Sequence, residues 1–312
     1  MKEKDVLVPL LQFHDKLRSQ TTLTTNSQLK DLVSNPSHIN LYHLQGPQGF
    51  QWNQNLCATV RETNGMVSVR RYYITSSMES LLCCEIELLK KAQHENVLHY
   101  VDSFIEDNKF LWIVSEFVDG GTLTDIFEQL ESIQFEESQL AYFVLMCLRG
   151  IHYLQSHGIP YELQSDCVLL SLSGHIKLSS LRNPSYYSRR STVGTPYWLS
   201  PDYILNKSPT NDNVWSLGVM LWEAITGEPP YIEFPPIRAL FVTITEGIPP
   251  LSSHLPLSGP LVDFLCKCTE RNTAVRSSPS LLLEHPFLKH PSSPDQFATI
   301  IHQAQFFNND WG

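Results

Sequence analysis

The chain has 312 residues, 42% hydrophobic and 17% charged, with a formal net charge of −10. That length allows a two-lobed domain with sizeable cores, and that composition excludes a disordered chain. The acidic balance, without a long basic run, argues against a nucleic-acid or anionic-membrane partner, and no apolar stretch reaches the about 18 residues of a membrane span.

In chain order, residues 1–37 are rich in Ser, Thr, Asn and Gln and read as a polar N-terminal extension with one short helix over 6–17. Its apolar patch at 6–11 contains Pro9 and has no small-residue cleavage site, so it is not read as a secretory signal. From His38 the pattern turns to strands. Residues 66–69 form a β-rich run after the turn signal Asn64-Gly65. A helix follows, with Leu81, Leu82, Ile86, Leu89 and Ala92 on one face. Strands are predicted at 98–105 and 110–116, and Asp119-Gly120-Gly121 breaks the pattern. Thereafter the chain is helical: 136–157, then a hairpin around Ser173-Gly174, an apolar helix over 214–225, and amphipathic segments near 239–245, 260–268 and 280–288. Residues 295–305 read as a helix in the tail. Strands first and helices after predict an α+β chain in two lobes. The seven cysteines are scattered, without Cys-x-x-Cys or zinc-type Cys/His spacing, and read as reduced thiols of a cytosolic protein.

An ordered set of motifs sharpens this. Val67-Ser68-Val69-Arg70 resembles the third-strand Val-Ala-Ile-Lys motif of protein kinases, and Glu85 falls where the partner glutamate of the following helix belongs. His94-Glu95-Asn96-Val97 is similar to the connector after that helix. Leu111 to Phe117 is similar to the fifth strand and hinge, with Ser115 at the gatekeeper place. Gly194-Thr195-Pro196-Tyr197-Trp198, Ser200-Pro201-Asp202, Val214-Trp215-Ser216-Leu217-Gly218 and Arg276 before His285-Pro286-Phe287-Leu288 match later landmarks of the sterile-20 group. The resemblance implies a bilobal protein-kinase-like fold, β-rich N-lobe and helical C-lobe. The segments are then 1–37 as extension, 38–117 as N-lobe, 118–289 as C-lobe and 290–312 as C-terminal tail. Arg70-Arg71, Ser180-Leu181-Arg182 and Trp198-Leu199-Ser200-Pro201 look like the sterile-20-related adaptor (STRAD) pseudokinase family.

The catalytic positions are altered. Aligned backwards from Cys167, Glu162 stands at the catalytic-aspartate place. Aligned forwards from Gly158, the segment is one residue short. Gln164 replaces the phosphate-steadying lysine, Cys167 the metal-binding asparagine and Ser180 the metal-binding aspartate. A hydroxyl brings no charge and sulfur is a soft donor, so no metal site is expected. The glycine-rich loop keeps Gly49 in the frame 49–54, with Gly46-Pro47 as another frame. The resemblance places Leu56, Ser68, Arg70, Glu116 and Leu169 around a nucleotide. Arg70 is expected either to pair with Glu85 through two parallel bonds or to contact that nucleotide. Asn213 replaces the aspartate that anchors the catalytic-loop backbone.

On these grounds the chain is expected to be no enzyme but a pseudokinase. The resemblance to the adaptor family implies an adaptor and allosteric activator of a liver-kinase-B-like serine/threonine kinase, with a helical-repeat scaffold protein as a further partner. No cofactor is expected to be required, with room left for ATP bound without a metal. The docking face is expected at Tyr186, Tyr187, Tyr231 and Arg238, and the location is expected to be cytoplasmic, with the nucleus as a second site. The alternatives are a low-activity or metal-independent serine/threonine kinase using Glu162, or an ATP-responsive switch.

Overall fold

The computed structural model describes residues 28–45, 55–179, 196–205, 212–252 and 254–309. Five antiparallel strands form the N-terminal sheet, in the order β1-β2-β3-β5-β4. They are β1 (Tyr42–Gln45), β2 (Asn55–Val60), β3 (Met66–Tyr73), β4 (Tyr100–Glu106) and β5 (Phe110–Glu116). The hairpin between β2 and β3 turns at Asn64, whose φ of 55° suits an Asn-Gly pair, and Asp107-Asn108 turn the next hairpin at φ 51° and 55°. Alternation along β3 sends Val67 and Val69 into a small cluster with Ala58, Phe104 and Trp112. Tyr72 joins the larger core on the other face.

That second face carries helix α2 (Glu79–Lys91), whose Leu82, Cys83, Ile86 and Leu89 are buried. Ahead of the sheet stand a four-residue helix, α1 (Leu29–Leu32), and a 3-10 turn (Pro36–Leu41). Neither is apparent from the polar sequence, yet Leu29 is only 1% exposed.

The second lobe is helical. Helix α3 (Leu123–Phe127) starts on a reciprocal Thr122–Asp125 cap. The central α4 (Glu137–Ser156) is buried along most of its length because its apolar residues extend round more than one face. A short 3-10 turn (Ser165–Cys167) leads into the hairpin β6 (Val168–Leu170) and β7 (Ile176–Leu178). Then come α5 (Pro201–Ile204), the buried α6 (Asp212–Thr226), α7 (Pro236–Glu246), α8 (Gly259–Cys268), α9 (Pro279–Leu283) and α10 (Pro294–Asn309). Serines 200, 258 and 278 cap α5, α8 and α9 through their hydroxyls.

Two glycines let elements meet closely. A Cβ on Gly150 would come within 2.7 Å of Leu178, and one on Gly174, at φ 82°, would overlap the Pro294 carbonyl at 1.9 Å. The second contact seats α10, whose Phe297 stacks on Phe135 at 6.4 Å and packs on Tyr142 at 5.2 Å. The α+β, two-lobed expectation is met. Among the described residues no helix is long and apolar enough to cross a membrane.

Candidate active site

Strand β3 presents Arg70 two residues before Tyr72 on the same face, toward α2. The Arg70 Nη1 lies 3.8 Å from Glu85 Oε1 and donates to the Tyr72 hydroxyl at 3.2 Å, which in turn donates to Glu85 Oε1 at 3.2 Å. Tyr72 thus bridges Arg70 and Glu85. Burial lowers the Arg70 pKa, but Tyr72 and Glu85 outweigh it and hold the guanidinium charged. The Cys167 thiol adds a smaller push in the same direction.

That lobe supplies the loop 159–167. Its backbone is anchored by Asn213 on α6: the side-chain oxygen accepts from Leu163 N at 2.9 Å and the side-chain nitrogen donates to Tyr161 O at 2.9 Å. Held there, Glu162 is half-buried. Burial chiefly, with Asp166 and Asp212 nearby, pushes its pKa up to about 7, against a weak bond from Gln164 Nε2 at 3.5 Å. Tyr203 on α5 borders the same carboxyl, and burial followed by Glu162 raises its own pKa. The Cys167 thiol donates to Asp166 Oδ1 at 3.3 Å.

Of the other sequence-derived positions, Leu56, Ser68 and Leu169 are half-buried. The Glu116 carboxylate is engaged by Lys177 Nζ and by the His99 N–H, each at 2.7 Å, and so ties β5 to β7. Arg238 covers the Phe234 ring at 4.2 Å, and the Tyr231 hydroxyl donates to Gly247 O at 2.9 Å, both away from this loop on the α7 side. Gly49, Ser180, Tyr186 and Tyr187 lie outside the described residues. The structure thus groups Arg70 with Glu85, Glu162 with Gln164, and Cys167 with Asp166. It adds Tyr72, Tyr203 and Asp212, which motif matching missed. Tyr72 was within reach of the two-residue strand period.

A second acid behaves like Glu162. Glu223 on α6 accepts from Trp198 Nε1 at 3.0 Å, and burial pushes it up to about 7 from an ordinary 4.5. The unfolded chain binds these two protons with ordinary carboxyl affinity and the folded chain holds them more tightly. Between about pH 4.5 and 7 the folded state carries more protons, so these groups make stability fall as pH rises. Denaturant titrations from pH 5 to 8 should show Glu223→Gln losing less stability over that range than the wild type. Parallel curves for the two proteins would refute this.

A match to the model described as "Protein kinase domain" runs over residues 58–288, more than half of the chain. The Dictyostelium discoideum serine/threonine-protein kinase pakC is 34% identical over 293 residues, covering 90% of this chain and 61% of the relative. The pakA kinase of the same organism is 38% identical over 250 residues, covering 78% and 21%. Mouse serine/threonine-protein kinase PAK 1 is 34% identical over 235 residues, covering 73% and 42%. The chain therefore spans between a fifth and three fifths of these relatives.

These relatives support the sterile-20 grouping but not the narrower adaptor family. They also correct two expectations. All three are named as kinases, so the chain's kin are enzymes, and the expectation of a non-enzyme is overturned. That expectation rested on the combined replacement at Glu162, Gln164, Cys167 and Ser180. The expectation that no cofactor is required falls with it, because kinases use ATP with magnesium. The metal fits poorly, however. Cys167 offers sulfur, its thiol engages the Asp166 carboxylate, and among the described residues no three metal-binding side chains converge. On its ordered strands and helices, its Asn213-anchored loop and the span of the match, the chain belongs to the protein kinase domain family.

Proposed function

We propose that the chain is an ATP-dependent serine/threonine kinase of low turnover, with Glu162 as the base. The observation that carries this reading is the position of Glu162 between Tyr161 and Leu163, whose backbone Asn213 holds on both sides of it, where burial with Asp166 and Asp212 pushes the carboxyl pKa up to about 7. A base is most effective when its pKa lies near the working pH. The acceptor hydroxyl gives its proton to Glu162 as its oxygen bonds to the γ-phosphorus. The bond from that phosphorus to the bridging oxygen breaks, and ADP leaves with the electron pair. On this reading Arg70, held charged beside Tyr72 and Glu85, contacts phosphate oxygens of the nucleotide. Gln164 brings no positive charge to the transferred group, which is why the expected rate is low.

The test is transfer of labelled γ-phosphate to a serine/threonine peptide by the purified chain, with magnesium and then manganese. Transfer above background supports the reading, and none with either ion overturns it.

A second reading is favoured by one surface observation. Residues 231–238 expose Ile237 at 69% and Ile232 at 39% beside the Arg238–Phe234 stack, an aromatic and arginine face of the kind that anchors interfaces. On this reading a liver-kinase-B-like client docks there, with a helical-repeat scaffold as a further partner. Capture of such a purified kinase should be lost in Arg238→Ala, and undiminished capture would sink the idea.

A further inference from the structure

We infer that residues 28–41 are a strap that sets the position of helix α2, with Asp102 as its latch. The inference needs the Arg70–Glu85 contact but not the transfer reaction.

The strap is fastened at three places. Leu29, 1% exposed, enters the core formed by Leu82, Cys83, Ile86 and Leu89 of α2 and by Ile105 and Leu111 of the sheet. At the far end of α2, Lys90 Nζ donates to the Leu32 carbonyl. Beyond it, Ser34 N donates to Ser103 O at 2.7 Å, so the strap runs as a short parallel bridge beside β4.

The latch is a buried carboxylate. Asp102, 8% exposed, sits where β4 breaks register against β5. Its Oδ1 accepts from the Ser34 hydroxyl at 2.6 Å and from Ser103 N at 2.8 Å. Its Oδ2 meets His38 Nδ1 at 2.7 Å and accepts from Tyr42 OH at 3.4 Å. Three of these four partners, Ser34, His38 and Tyr42, come from the chain ahead of β2. A buried carboxylate stripped of such partners is costly, so strap and sheet hold together or part together.

The consequence reaches Glu85. It lies on the buried face of α2, and its 3.8 Å approach to Arg70 depends on where α2 sits. A helix with one face covered by the sheet and another by the strap has little room to swing. With the strap released, Leu82 and Ile86 lose a packing neighbour and α2 is free to tilt away from β3. Asp102 and Leu29 are thus positioning residues for Glu85, acting through the seat of α2.

The test is amide hydrogen exchange on the full chain, read peptide by peptide. In Leu29→Ala and Asp102→Ala, exchange over 79–91 should quicken on the order of tenfold, while 137–156 in α4 stays protected. Ser34→Ala removes one latch bond and no packing, and should give the same pattern more weakly. It keeps the test decisive if the larger substitutions unfold the lobe. A double-mutant cycle of Arg70→Ala and Glu85→Ala should show coupling in the wild type and less in Ser34→Ala. If 28–41 exchanges freely while 79–91 is unchanged, or if the coupling survives intact, the strap does not position α2 and the inference falls.

Discussion

Glu162→Gln is expected to lower kcat by about 100- to 10,000-fold, the usual contribution of a positioned general base. The substitution keeps size and polarity, so the KM for ATP should hardly change, and the loss would belong to the chemical step. In the wild type the base works only when ionised. With its pKa pushed up to about 7, kcat should climb through neutral pH and level off above about pH 8. That limb should vanish in Glu162→Gln, leaving a low, flat rate. A variant that retains the rising limb would show that another group takes the proton. Gln164→Lys offers a converse check, since a restored positive charge beside the loop should raise kcat and pull the limb to lower pH.

Arg276→Ala is expected to destabilise the fold by about 3–5 kcal/mol, the range for removing one partner of a buried ion pair. Arg276 is fully buried, with Nη2 3.2 Å from Asp202 Oδ2 and Nη1 3.6 Å from Asp212 Oδ1. It also lies 5.2 Å from the Trp215 ring and donates from Nε to Glu270 O at 2.8 Å. Its loss leaves two carboxylates in a dry setting, and burial has already raised the Asp212 pKa. Thermal unfolding should drop by on the order of 10 °C. A shift within 1–2 °C would mean that the carboxylates find other partners or protons.

Much of the architecture is legible in the sequence because it rests on patterns of period 2 and 3.6 and on motifs in fixed order. The α2 stripe of Leu82, Ile86 and Leu89 and the Asn64-Gly65 turn need no third dimension. The strap is illegible for the opposite reason: a four-residue helix in a polar stretch has no period, and only Leu29 marks it. The site divides the same way. Arg70 and Glu85 are found by position, but the tyrosine between them depends on how far β3 and α2 stand apart. The hardest quantity to foresee was the acidity of Glu162. Sequence shows which carboxylates are missing, whereas proton affinity depends on burial and on the charges of Asp166 and Asp212 that the fold brings near.

The seat of α10 bears on how the molecule can be cut. The kinase match ends at residue 288, but Phe297, Ile300 and Ile301 are 2% exposed or less. Their bed is the aromatic trough of Phe135, Phe143 and Tyr142, with Gln139 Nε2 donating to Gln296 O at 3.0 Å. A fragment trimmed to the family boundary would bare that trough to water, and such wetted aromatic surface is covered most cheaply by another copy of the same fragment. Excision after residue 304 keeps the trough dry, so two preparations differing by about fifteen residues should part company by size-exclusion: one running as discrete particles, the other as clusters.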